Sequence, residues 1–276
     1  MSGASAHAAA YAECARIVQE GDPDRAVSVG FASADRRDGL WALYAFALET
    51  ARVRDHVSQP LPGEIRLQWW RDRLNADETE AEAAGQGSPV ATALIDTVRR
   101  YDLPLDAFDR YLDARIFDLY ADPMGSRTDF EAYAGETQSA IVMLAAMVLD
   151  RAEAPKVADA AGHAGVAACA ALTVRDVERH RSRHQVFVPA DILAATGLDA
   201  SGWLAGGAKA HPAERAMFAY GREHLAQAEA QIPRLPRSVR AALLPALFAA
   251  RGLDQKGEGR GEAIRRLWFY WRTMRR

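Results

Sequence analysis

The chain has 276 residues, 49% hydrophobic and 26% charged, with a formal net charge of −3. That is enough apolar material for a sizeable core in one large domain or two small ones, and it gives no global attraction to nucleic acid. Cys14 and Cys169 lie far apart without CxxC or CxxH spacing, which excludes a disulfide framework or cysteine zinc site and suits a reducing compartment.

The N-terminus, MSGASAHAAAYAECARIV, lacks a basic stretch followed by a sustained apolar run, so no secretory signal is expected. No segment approaches the roughly 18 apolar residues of a membrane span. The expectation is a soluble, cytoplasmic chain.

Alanine is abundant, β-branched runs are scarce, and helical spacing predicts helices over 5–20, 34–57, 63–76, 88–100, 104–121, 128–150, 155–183, 211–231, 236–251 and 260–276. GDPD (21–24), QPLPG (59–63), GQGSP (85–89) and ADPMGS (121–126) read as turns. Asp35 and Ser88 sit where N-caps belong, and Pro104 and Pro189 suit helix edges. The gap 75–87 reads as an acidic loop, and only HQVFVPADIL (184–193) has strand character. With no repeat and no long linker, the reading is all-α and a single domain over 1–276.

In the second helix Leu40, Tyr44, Ala47, Ala51 and Asp55 share a face, so a carboxylate ends an apolar stripe. In ALTVRDVERHRSRHQVFVP (171–189), Asp176 and His180 stand four residues apart, where both can reach one ion or one proton. An equally good reading pairs Asp176 with Arg175, Arg179, Arg181 or Arg183 on a charged helix end. Two such helices suggest a central apolar cavity with carboxylates at its mouth. All-α enzymes of prenyl diphosphates use this plan: paired aspartates bind Mg²⁺, which binds the leaving group.

Trp69 and Trp70 point about 100° apart on their helix, so one is expected in the core and the other exposed as a partner contact, with Arg66 or Arg71 beside it. The C-terminal RRLWFYWRTMRR (265–276) mixes arginines with aromatics. It suits either an anionic membrane surface or a last helix packed on the bundle with arginines at its C-terminus.

FASADRRDGLWALYAF (31–46) and VRDVERHRSRHQVFVP (174–189) resemble the two aspartate-motif regions of the squalene/phytoene synthase family, with ARIFDLYADP (114–123) and DFEAYAGETQSAI (129–141) at its middle helices. The resemblance covers roughly residues 10–200 and implies an isoprenoid-synthase-type helical bundle. Active members read close to YAxCRxxDDxxD and NxxRDxxxD. Here Leu48 stands at the arginine, Ala51 at the first metal-binding aspartate, Leu172 at the asparagine and His180 at the final aspartate; Asp55, Arg175 and Asp176 remain. No catalytic residue is therefore expected. Asp55 and Asp176 are left as ligands for one weak Mg²⁺ at most, and Leu48, Ala51 and Leu172 as cavity lining.

YAFALETARVRDHVSQPLPGEIRLQWWRDRL (44–74) is more similar still to the branch of that family holding the mitochondrial respiratory complex I assembly factor and its bacterial relatives. The shared features include Glu49, Asp55, Val57, Ser58, Gly63, Arg66, Gln68, Trp69 and Trp70. This resemblance implies a non-catalytic protein without a cofactor. Its partners would be complex I subunits or other assembly proteins, met through Trp69, Trp70 and Arg66. An isoprenoid or lipid would be its candidate ligand, and it would sit peripherally on the inner membrane. The alternative is an active head-to-head prenyltransferase using Mg²⁺.

Overall fold

The computed structural model describes residues 3–76, 87–251 and 261–276, and every regular element among them is helical. Helix α1 (Gly3–Gly21) is followed at once by α2 (Pro23–Val29), where the sequence suggests a turn. Asp22 accepts the Arg25 N–H at 2.9 Å, and Pro23 sits in the first turn, where its missing N–H costs nothing.

Helix α3 (Ala34–Ala51) carries the apolar stripe. Its boundary residue is Ser33, with the expected cap Asp35 already in the first turn. The helix stops short of the expected residue 57. Arg52 leaves helical geometry (φ −97°, ψ 3°), Val53–Asp55 forms a separate 3₁₀ turn, and Gln59 is extended, as the residue before Pro60 must be. Helix α4 (Pro60–Leu74) then starts at Pro60 rather than 63.

Helix α5 (Pro89–Tyr101) has the expected cap: Ser88 Oγ accepts the Ala91 N–H at 3.2 Å. Most of the expected acidic loop falls on residues 77–86, outside the described residues. Helix α6 (Leu105–Ile116) follows Pro104 and tightens into a 3₁₀ turn, Phe117–Leu119.

Helices α7 (Arg127–Leu149) and α8 (Ala154–Arg175) are both long and apolar enough to cross a membrane, contrary to the sequence expectation, yet more than half of each apolar stretch is buried inside the bundle. α7 contains a π-helical turn, Gly135–Ser139. There α8 approaches so closely that a Cβ on Gly165 would lie 2.7 Å from the Ser139 backbone nitrogen. The predicted helix 155–183 breaks at Asp176 (φ −97°, ψ 18°), and α9 (Val177–Ser182) follows as a separate short helix.

The segment read as strand-like makes no strand. The Met124 N–H donates to the Val186 carbonyl at 2.9 Å and the Ala190 N–H to the Met124 carbonyl at 3.0 Å, too little pairing to build a sheet. Next come the short helices α10 (Ala190–Ala195) and α11 (Ala200–Ala205), which the sequence reading missed, and then α12 (His211–Gln231). The predicted helix 236–251 is a 3₁₀ run, Arg237–Leu243, leading into α13 (Leu244–Arg251). Helix α14 (Glu262–Arg275) closes the described chain.

Alanine-rich α8 is central, packed against α12, α13 and the π turn of α7, while α1, α3 and α5 pack together beside α7. Tyr44, Phe46, Phe108, Tyr111 and Tyr270 fill the main core. A second cluster, around Phe130, Val188, Trp203 and Met217, holds the 186–217 region against α7 and α8.

Candidate functional site

Small side chains on α3 and α8 leave space between these helices, α7, α12, α13 and α14. The result is an open cavity of about 1260 Å³. Leu48 and Ala51 of α3, Ile141 and Val142 of α7, and Ala168 and Leu172 of α8 all line it, a wall suited to a hydrocarbon. Leu48, Ala51 and Leu172, three of the four degenerate motif positions, thus line this cavity.

Its charged mouth is made by the two helix breaks. The 3₁₀ turn after α3 presents Asp55, and the break after α8 presents Asp176. Arg183 donates to Asp55 at 2.7 Å, Arg179 donates to Asp176 at 2.7 Å and lies 3.9 Å from Asp55, and Arg175 lies 3.4 Å from Asp176. One guanidinium therefore reaches both carboxylates, and the expected juxtaposition of Asp55 and Asp176 is present. Arg52 and Arg54 line the same mouth. Arg52 donates to the Gly21 carbonyl at 2.9 Å and Arg54 to the Val57 carbonyl at 2.7 Å. The buried Arg54 Nε has no hydrogen-bond partner among the described residues. Five guanidinium groups here surround two carboxylates.

His180 stacks on Phe187 with ring centroids 4.7 Å apart, and its buried Nδ1 has no partner among the described residues. Burial pushes its pKa below the ordinary value, with nearby Asp176 opposing the shift. It is a neutral imidazole at neutral pH. Cys169, also in the wall, is pushed up to about 12 by burial, which makes it an inert thiol.

Deeper in lies a group the sequence reading passed over. Arg115 and Asp118 pair at 2.9 Å, Tyr133 donates to Asp118 at 2.6 Å, and Arg115 Nε donates to the Tyr111 hydroxyl at 3.2 Å. Gln185 donates to the Asp118 carbonyl at 2.6 Å. Its one sequence signal is a charged pair three residues apart among Ile116, Phe117 and Leu119. Each charge is buried but matched, so the group fixes the junction of α6 and α7.

Mg²⁺, which the motif remnants imply, does not fit this donor set. Asp55 and Asp176 are both engaged by guanidinium groups, Leu48, Ala51 and Leu172 offer no side-chain oxygen, and no cluster of three His, Cys, Asp or Glu side chains able to hold a metal occurs among the described residues. A hard cation wants several oxygens, not a position beside arginines.

Two further helices, α4 and α14, expose apolar side chains. On α4, Trp70 is 4% exposed and packs edge-on against Phe46, while Trp69 is half-buried beneath Arg73, 5.2 Å from its ring centroid. The exposed member of the pair is thus only partly so. Its cation is Arg73, because Arg71 turns to Asp109 and Asp113 and Arg66 stays in solvent. Leu61 and Ile65, two turns and one turn before Trp69, are the exposed large apolar residues of this helix. On α14, Phe269 and Tyr270 are buried, whereas Ile264 (75%), Leu267 (55%), Trp268 (55%) and Trp271 (47%) are exposed. Arg272 covers Trp268 and Arg275 covers Trp271. One face of this helix thus packs on the bundle, the other leaves aromatics and arginines exposed, and Trp268 also lines the cavity.

A helical shell around one apolar cavity with a charged mouth is an isoprenoid-synthase-type architecture. Residues 18–265 match the squalene/phytoene synthase family, and the chain belongs to that family. Its fold superposes on a ligand-bound dehydrosqualene synthase with a TM-score of 0.80 at 14% identity, covering 98% of each chain. It also superposes on squalene synthase HpnC from Alicyclobacillus acidocaldarius, with a TM-score of 0.72 at 17% identity and 95% of each chain.

By sequence it is 29% identical over 195 residues to complex I assembly factor 6 of Bos taurus, covering 69% of this chain and 56% of that protein. It is 34% identical over 164 residues to the Rattus norvegicus counterpart, covering 59% and 48%. Chloroplastic phytoene synthase 1 of Arabidopsis thaliana is 24% identical over 205 residues, covering 71% and 47%. The chain spans about half the length of these curated relatives.

Proposed function

We propose that the protein is a non-catalytic member of the squalene/phytoene synthase family that acts in the assembly or maturation of respiratory complex I. The observation that carries this reading is the fate of the motif carboxylates: Asp55 and Asp176 are paired with Arg183 and Arg179. Ionising an allylic diphosphate needs its charge compensated in the transition state, and Leu48, Ala51 and Leu172 supply nothing toward it. The similarity to complex I assembly factor 6 in two mammals supports the assembly role.

On this reading the protein meets complex I subunits or other assembly proteins through α4, where exposed Leu61 and Ile65 and half-buried Trp69 line up beside Arg66 and Arg73. It rests peripherally on the inner membrane through the basic aromatic face of α14, and its cavity takes an isoprenoid or another lipid. The test is a deletion strain. NADH–ubiquinone oxidoreductase activity in its membranes should fall and return with the wild-type gene. It should return equally with an Asp176→Ala gene, which a working metal site would not tolerate.

A further inference from the structure

The mouth of the cavity carries more positive charge than its own carboxylates neutralise. Arg52, Arg54, Arg175, Arg179 and Arg183 stand around Asp55 and Asp176, and among the described residues Arg52 and Arg54 bond only backbone carbonyls. Over the whole lining, eleven arginines face seven carboxylates, so an excess of four cationic charges stands beside the apolar wall. Low-dielectric walls concentrate such a field at the opening. A buried donor with no acceptor is costly, and Arg54, which lines this cavity, has such a donor in its buried Nε, without a partner among the described residues.

We infer that this mouth binds the terminal phosphate of an amphiphile directly through guanidinium groups, without a divalent cation, while the cavity holds the apolar tail. The inference rests on the proposed lipid-binding, non-catalytic reading and specifies the chemistry of the ligand at that site. Where metal would otherwise bridge aspartates to phosphate, here arginines neutralise the aspartates and remain free to fork onto phosphate oxygens, a geometry guanidinium matches well.

The charge count selects the headgroup. That cationic excess is poorly met by the single charge of a carboxylate or phosphodiester, and better by a phosphomonoester or a diphosphate. Two sources share that chemistry: a prenyl diphosphate and a phosphatidic-acid-type lipid. A cavity of about 1260 Å³ accommodates the tail of either.

Calorimetric titration of the full chain, in excess EDTA and again in magnesium, tests this. The probes are farnesyl diphosphate, dihexanoyl phosphatidic acid, farnesol, inorganic diphosphate and dihexanoyl phosphatidylcholine. At least one of the first two should bind in EDTA with the same affinity as in magnesium, and the tighter of them identifies the source. Farnesol, inorganic diphosphate and phosphatidylcholine should each bind at least about tenfold more weakly, since each lacks the tail or the dianionic phosphate. The Arg52→Gln/Arg54→Gln variant should lose about tenfold in affinity through its lost charge-assisted bonds, with Arg73→Gln unchanged. Should that double variant fail to fold, raising the salt on the wild-type chain must weaken binding in the same direction.

Binding of neither phosphate amphiphile, or binding indifferent to both the double variant and salt, overturns the inference. Binding that requires magnesium, with no diphosphate released, overturns it alone. Magnesium-dependent release of diphosphate overturns the non-catalytic reading with it.

Discussion

Arg183 donates to Asp55 at 2.7 Å across 128 positions of sequence, tying the segment after α9 to the turn after α3. Both side chains are about one quarter exposed, so the pair adds modest stability, and its main effect is to occupy a carboxylate. Arg183→Gln should lower stability by only about 0.5–1 kcal/mol, read as a small shift in the urea midpoint. A loss several times larger would mean that this ion pair holds the helices together.

Restoring oxygen ligands should restore metal before it restores chemistry. Ala51→Asp with His180→Asp returns two carboxylates to the mouth, and magnesium binding should become measurable by titration. Turnover should stay absent, because Leu48 and Leu172 still leave a diphosphate without its arginine and asparagine partners. Measurable prenyl condensation by this double variant would show that Leu48 and Leu172 are compatible with the chemistry.

Gly165 sits within α8, where glycine costs about 1 kcal/mol against alanine. It is kept there by contact, since a Cβ would lie 2.7 Å from the Ser139 nitrogen. Overpacking of this kind costs about 1–3 kcal/mol. Gly165→Ala should therefore lower the melting temperature despite the gain in helix propensity. A raised melting temperature would mean that the π turn of α7 yields easily.

Much of this was legible in the sequence, and what was not has local causes. The stripe Leu40–Tyr44–Ala47–Ala51 predicted α3, although this helix is buried on nearly every face from Gly39 to Leu48, and of the stripe Tyr44 and Ala51 line the cavity. The breaks at Arg52 and Asp176 were not visible: neither carries proline or glycine, and continuous 3.6-residue spacing reads through them. Those breaks turn Asp55 and Asp176 toward each other. Residues 184–193 looked like a strand because Val186 and Val188 are buried and Phe187 partly so, a signal shared by any chain crossing a core. The arginine pairing was an open alternative from spacing alone, since Arg183 and Asp55 meet only in three dimensions.

Acid should loosen the mouth. Burial holds the folded pKa of His180 below its ordinary value, so the unfolded chain binds this proton more readily. The stabilising contribution is complete above the ordinary histidine value, about 6.5. It is lost as pH falls from there through the lowered folded value. Melting temperatures compared at pH 7.5 and pH 5.5 (about one unit either side of that value) should differ less for His180→Gln than for wild type. Equal differences would assign the acid sensitivity to other groups, of which His224, also lowered by burial, is the first candidate.

The exposed face of α14 should bind anionic bilayers. Ile264, Leu267, Trp268 and Trp271 present apolar surface under Arg272 and Arg275, and each basic side chain near such a surface contributes about 1 kcal/mol. The protein should float with phosphatidylglycerol vesicles and not with phosphatidylcholine, and Trp268→Ala/Trp271→Ala should abolish flotation while leaving the melting temperature near wild type. Equal flotation on both lipids would remove charge as the source of the contact.

The most direct measurement is diphosphate release by the purified chain supplied with magnesium and farnesyl or geranylgeranyl diphosphate. Removing one preorganised electrostatic partner commonly costs about 3–4 kcal/mol of transition-state stabilisation, and each 1.4 kcal/mol is about tenfold in rate. Here Leu48, Ala51, Leu172 and His180 replace four motif groups, and the two aspartates that remain are held by Arg179 and Arg183. The expected result is no release above the protein-free background, with Asp176→Ala indistinguishable from wild type. Magnesium-dependent release that disappears in Asp176→Ala would contradict it and make Asp55 and Asp176 working ligands.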